Sequence, residues 1–279
     1  MPARPSRFRT PVGQRGFALL IVLWTLVLIA FIVGHLTAAG RTEVRIADNL
    51  ASNAAAQAAA DGAIYQAIFN LAGSRTDRRW TLDGNPHELR IGESRAILRL
   101  ADETGRVNPN QASAALLQAL VRAAGGAEQN AGEIAAAITE WVGTTTEQRA
   151  PATVLAEYRM AGLDYGPPGS ALESIDELAL VRGVTPALLA ALRPHLSLFG
   201  PAEPNPRAAD PVVSEALALA RAAAPALAPA DATTDVLVAR IQATARGPGN
   251  AQVTRAAVVR VDPSVPPGYA LLAWDNEIE

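Results

Sequence analysis

Three histidines and no cysteine bound the chemistry that this chain of 279 residues can carry. Without a thiol there is no thiol catalysis, no cysteine metal site and no disulfide framework. His87 and His195 stand alone in the sequence, with no second ligand at metal spacing, and read as surface or turn residues. His35 lies beside Gly34 inside an uncharged apolar run, where a polar ring is a functional candidate by position alone. It also stands near the far end of that run, where a half-polar ring sits cheaply at a membrane interface, and that reading is preferred. No HExxH, no phosphate-cradling glycine loop and no local Ser-His-Asp pattern is present. The stretch LVRGVTPALL at 180–189 has the form of a helix-hairpin-helix, which can hold DNA phosphates through backbone N–H groups. Only Arg182 and Arg193 lie nearby and the chain is acidic, so the hairpin reads as a packing motif. The expectation is a protein that is not an enzyme and has no nucleic-acid partner.

The chemistry at the N-terminus is done to the chain rather than by it. Arg4, Arg7, Arg9 and Arg15 precede Gly16–Phe17, and an apolar run of about 22 residues extends from Phe17 to Ala38. That length crosses a bilayer as a helix, and the arginines predict a cytoplasmic N-terminus with the bulk of the chain across the membrane. An ordinary signal peptide has its small-residue cleavage site after a shorter apolar core. Here the small residue, Gly16, comes first, so a cut at that point leaves the hydrophobic helix on the product. Losing the four leader arginines takes the formal net charge from −3 to −7. An acidic outer part of this kind argues further against nucleic acid. The absence of lysine and the abundance of alanine read as genome composition.

Several elements must follow the span. Val44, Ala47, Ala51, Ala54 and Ala58 recur at spacings of three and four, and Ile64, Ile68 and Leu71 carry the stripe on. This predicts one helix from Phe17 to about Ala72, stopped at Gly73, half in lipid and half on a globular head. Residues 87–101 read as two short strands around the turn Ile91-Gly92-Glu93-Ser94. Helices are expected at about 111–124, 127–142, 151–161, 174–182 and 186–193, separated by Gly125-Gly126, Gly143 and the GPPG of 166–169. Ser174 and Glu177 have capping-box spacing, Gly183 suits a left-handed cap, and Thr185-Pro186 restarts a helix. After the proline-rich connector GPAEPNPRAADP comes a helix at 211–223. Strands then return around Val236–Ile241, Val253–Val261 and Tyr269–Trp274, the first two joined by a hairpin turn at Gly247-Pro248-Gly249-Asn250. The order predicts an α+β protein with an all-α domain inserted between strands.

The Gly16–Phe17 junction with its basic leader resembles the class III leader of type IV pilins and type II secretion pseudopilins. Over the whole chain the pattern resembles the K-type minor pseudopilin of type II secretion. The resemblance is carried by Asp102-Glu103-Thr104-Gly105-Arg106-Val107-Asn108, by Ile138-Thr139-Glu140-Trp141-Val142, by SIDELALVRGVTPALLAALRPHLSLF at 174–199 and by the ending YALLAWDN. It implies a pilin-like spine helix on a small antiparallel sheet, with the segments 1–16 leader, 17–39 span, 40–102 spine and first strands, 103–200 inserted helical domain and 201–279 final helix and strands.

The resemblance also implies roles. A prepilin peptidase would cut between Gly16 and Phe17, and Phe17 would be N-methylated. Most such proteins carry Glu at the fifth mature position, where this chain has Ile21. Absence of that Glu characterises the K type, placed at the tip of the periplasmic pseudopilus. Implied partners are the I- and J-type minor pseudopilins, the H type, the major pseudopilin, the inner-membrane assembly platform and the prepilin peptidase. Implied location is the inner membrane, single-pass, with a periplasmic C-terminal domain. Some relatives bind calcium after the Trp-Ile stretch, but here Trp141-Val142-Gly143-Thr144-Thr145-Thr146-Glu147 offers one carboxylate. Glu140, Glu157 and Asp164 are the others that can approach, a poor set for an ion that takes six to eight oxygens, and no metal or cofactor is assigned. The alternatives are a signal-anchored periplasmic enzyme or binding protein, and a minor pilin of a type IV pilus.

Overall fold

Alanine, leucine and isoleucine dominate the first long element and nothing in it breaks a helix. α1 (Arg15–Ala72) accordingly runs unbroken for 58 residues in the computed structural model, which describes residues 15–73, 80–144, 150–223, 236–262, 264 and 266–275. At 1.5 Å per residue it is about 87 Å long. The segment Phe17–His35 is long and apolar enough to cross a membrane, and none of it is buried inside the protein.

The outer half of α1 packs on a five-stranded antiparallel sheet of β1 (Asp83–Ile91), β2 (Ser94–Asp102), β3 (Leu237–Arg246), β4 (Gln252–Val261) and β5 (Tyr269–Asp275), in the order β1-β2-β3-β4-β5. Period-two alternation sets the buried face: Ala96, Leu98 and Leu100 on β2, Ile241 on β3, Val259 on β4. Ile91 pairs with Ser94, so Gly92 supplies the positive φ (58°) that a two-residue turn needs. Gly249 and Asn250, with φ of 63° and 65°, do the same for the β3–β4 hairpin. Fully burying each of Ile64, Leu71, Leu98 and Ile241 is worth about 1.5–3 kcal/mol.

The stripe on α1 divides where the sequence reading joined it. Ile64, Ile68 and Leu71 face the sheet, together with Ala56, Ala59, Ala60, Ala63 and Ala67. Val44, Ala47, Ala51, Ala54 and Ala58 are exposed on another flank. Alanine at nearly every turn gives α1 two small-residue faces, and the sheet selects one of them.

The second layer is helical: α2 (Ala114–Ala123), α3 (Glu128–Val142), α4 (Pro151–Met160), α5 (Pro186–Leu192) and α6 (Pro211–Ala223). Its core includes Leu117, Leu120, Ile138, Tyr158, Leu178 and Leu192. Ser113 caps α2, accepting from the Leu116 amide, and Thr185 caps α5, accepting from the Leu188 amide. The helix expected at 174–182 is instead a tighter 3₁₀ segment, Ile175–Leu180, started by the Ser174–Glu177 capping box and ended by extended Val181. α6, grouped by sequence with the last strands, packs instead against α2, burying Val213, Ala216 and Leu217 in the helical core.

Candidate functional site

Two regions of the molecule bear on function: the exposed spine and the seam where the helical layer leaves the sheet. On the spine, Phe17 is 69% exposed and Ile21 47%. No carboxylate lies between Phe17 and His35. His35 is exposed on α1, its ring 5.9 Å from that of Phe31. Gly16 falls within the first turn of α1, while residues 1–14 lie outside the described residues.

The seam is built by the segment Asp102–Asn108. The chain leaves β2 at Asp102, which pairs with Ala239 of β3, and the Glu103 amide donates to the Val238 carbonyl at 2.8 Å. The helical layer is therefore inserted between two neighbouring strands. Glu103 is fully buried, and its Oε1 accepts from Arg106 Nη1 at 3.2 Å and Arg240 Nε at 2.8 Å. A buried carboxylate is tolerable only when paired in this way. Asn108, also fully buried, donates to the carbonyls of Leu198 (3.1 Å) and Gly200 (2.7 Å) and accepts from the Asn110 amide. Gly105 is required by close approach: a Cβ there would lie 2.2 Å from the Ala208 carbonyl oxygen. Val107 bridges to Leu196, so one short segment ties the start, the end and the sheet side of the insert together.

His195 is not the isolated residue that its sequence surroundings suggest. Its Nδ1 lies 2.7 Å from Asp210 Oδ2, and Asp210 caps α6 by accepting from the amides of Val212 (2.8 Å) and Val213 (3.0 Å). Burial pushes the Asp210 carboxyl up, but the Val213 amide, the His195 ring and the Val212 amide outweigh it and hold the group below its ordinary 3.8. The connector at 201–210 is likewise fastened, through the Asn205 amide to the Thr104 carbonyl at 2.8 Å and through Glu203 to Arg221 at 2.8 Å.

Of the four carboxylates considered for calcium, the three among the described residues, Glu140, Glu157 and Asp164, belong to no group of three metal-ligating side chains. Glu157 pairs with Arg182 at 3.0 Å, and Glu140 is buried near the end of α3. Asp164 joins no group of metal ligands, and Glu147 lies outside the described residues. Among the described residues no three His, Asp or Glu side chains converge. Aromatic rings occupy this corner instead: Trp141, Tyr158 and Tyr165 lie 6.0–6.3 Å apart between centroids. Burial first, with the Glu140 charge adding, pushes the Tyr158 hydroxyl above its ordinary value against the Arg182 amide and charge. Sequence reading missed Arg240 and Asp210; their partners lie 137 and 15 residues away, and no local pattern announces either pair.

Residues 96–201 match the family model described as "Type II secretion system (T2SS), protein K". No curated protein matches the chain. Among solved structures the chain resembles one from the crystal structure of the GspK-GspI-GspJ complex of the enterotoxigenic Escherichia coli type 2 secretion system. The TM-score is 0.54 at 16% identity, covering 86% of this chain and 100% of that one. At that identity the likeness speaks to the fold.

Proposed function

We propose that this chain, whose residues 96–201 match the type II secretion system protein K model, acts as the K-type minor pseudopilin at the tip of the periplasmic pseudopilus. The observation that carries the reading is the coincidence of that match with the inserted helical layer, set on a long helix whose first third is apolar and long enough to cross a membrane. Neither a signal-anchored enzyme nor a type IV minor pilin accounts for the protein K match.

The mechanism is assembly. The precursor inserts in the inner membrane with its arginines in the cytoplasm, and a prepilin peptidase cuts after Gly16. Phe17, now N-terminal, is methylated. The exposed span packs beside spines of I- and J-type partners, as the GspK-GspI-GspJ complex supports, and the H type, major pseudopilin and assembly platform follow. Ile21 gives this subunit no membrane carboxylate to offer a neighbour's amine. The helical layer, too wide for the interior of a fibre, caps its end.

Co-expression with a prepilin peptidase tests the processing step. Mass spectrometry of the product should show loss of residues 1–16 and a methylated Phe17. Unprocessed full-length chain, or a cut beyond Ala38, would overturn it, and Gly16→Ala should block cleavage.

A further inference from the structure

The sheet has two edges and they are treated differently. β1, at one edge, carries Pro86, a register irregularity between Asp83 and Pro86, and the charged residues Glu88 and Arg90. These are the devices that stop a strand edge from pairing with another chain. β5, at the other, reads YALLAWD: no proline, and no charge before Asp275. Among the described residues no strand pairs with its outer side.

The surface beside this edge exposes large apolar side chains next to Arg255, whose guanidinium lies 5.6 Å from the Trp274 ring centroid. Leu271 is 45% exposed, Tyr65 54% and Phe69 81%. Tyr65 packs on Trp274 of β5, with ring centroids 5.5 Å apart, and Phe69 follows one helical turn later. Leu271 and Trp274 pair with Val259 and Ala257, both on the α1 face of β4. Edge backbone and exposed rings therefore adjoin. The same flank of α1 runs back through Asp61, with which Arg255 pairs at 3.0 Å, and then through Ala58, Ala54 and Ala47 toward the apolar segment.

We propose that β5 is the site at which a strand of a second, membrane-rooted subunit joins this sheet, laying apolar side chains over Leu271, Tyr65 and Phe69. This deepens the assembly reading and rests on it. An unpaired edge accepts an extended segment through its free N–H and C=O groups, and pockets on alternate positions select the side chains. A membrane-rooted occupant is favoured over an exported soluble protein because, below the neutralised Asp61–Arg255 pair, a flank of exposed small residues continues down α1 to the apolar segment Phe17–His35. A second copy of this chain cannot pair antiparallel with it. The β3–β4 turn lies against Ser52 and Ala56, Arg255 meets Asp61, and Trp274 meets Tyr65, so β4 runs along α1 and away from the membrane. Antiparallel β5–β5 pairing would then set the two spines in opposite directions, which two copies in one membrane cannot adopt.

Hydrogen exchange on the full chain in detergent, alone and with purified full-length I- and J-type minor pseudopilins, tests this. Complex formation should slow exchange of the outward-pointing β5 amides at least tenfold and leave β1 unchanged. Leu271→Glu and Phe69→Ser, both at exposed sites, should each weaken association at least tenfold, while Met160→Ser on the helical layer should not. A complex that forms with β5 exchange unchanged, or both variants binding within twofold, overturns the edge proposal and leaves the assembly reading standing. Failure of any complex to form overturns both. Protection of β5 in this chain alone, with a dimer mass, replaces the proposed occupant with a second copy and overturns the proposal.

Discussion

Replacing Arg240 by methionine tests the seam between the two layers. Arg240 donates from Nε to Glu103 Oε1 at 2.8 Å, and Glu103 has no solvent exposure. Removing one partner of a buried ion pair costs about 3–5 kcal/mol, because the remaining charge is left uncompensated. Arg106, 3.2 Å from the same oxygen and 31% exposed at its side chain, still offers a cation, so the loss falls at or below the bottom of that range: about 2–3 kcal/mol. With a urea slope of about 1–3 kcal/mol/M, the midpoint should fall by roughly 0.7–3 M. Tryptophan fluorescence follows both layers, since Trp141 lies in the helical core and Trp80 and Trp274 pack against the sheet core. The double variant Arg240→Met with Glu103→Gln should recover at least about 1 kcal/mol relative to additivity, because no buried charge is then stranded. A single-variant loss below about 0.5 kcal/mol, or strictly additive effects, would refute the argument that this pair fastens the insert.

Further predictions concern the same seam and its neighbours. Asn108→Ala, which leaves the Leu198 and Gly200 carbonyls without their donor, should cost about 1–3 kcal/mol by urea unfolding. Gly105→Ala should fail to fold or shift the 205–209 turn, seen as lost Trp141 burial or accelerated proteolysis near Ala208, since its Cβ cannot fit against that carbonyl. Asp210 has its carboxyl held below 3.8 in the folded protein, so its contribution is present above that pH and is lost as pH falls through the lower folded value. Unfolding curves between pH 6 and pH 2 should show this loss, and Asp210→Ala should remove that component along with about 1 kcal/mol of α6 capping.

The spine, both hairpins and most helices were legible because period and turn chemistry agree locally: Ile91-Gly92-Glu93-Ser94, Ser174 with Glu177, and Thr185-Pro186 all act as their residue types dictate. What was misread has a physical reason in each case. Alanine fits a buried face and an exposed one equally, so the stripe from Val44 to Ala58 gave no sign that the sheet would take the other flank. A helix such as α6 carries one apolar face but no record of which layer covers it. The Glu103–Arg240 pair spans the whole insert, and the His195–Asp210 pair joins a 3₁₀ turn to a helix cap across a proline-rich connector. The DETGRVN segment was visible as a resemblance, whereas its work as a clamp became legible only once Leu198, Gly200 and Ala208 were seen beside it.

If this chain assembles through its long helix and head with I- and J-type minor pseudopilins, the three chains should be isolable together. Native mass spectrometry of the full chain mixed in detergent with I- and J-type partners tests it most directly. One species containing all three chains is expected. An I–J species with this chain left free, under conditions where I and J associate, would contradict it.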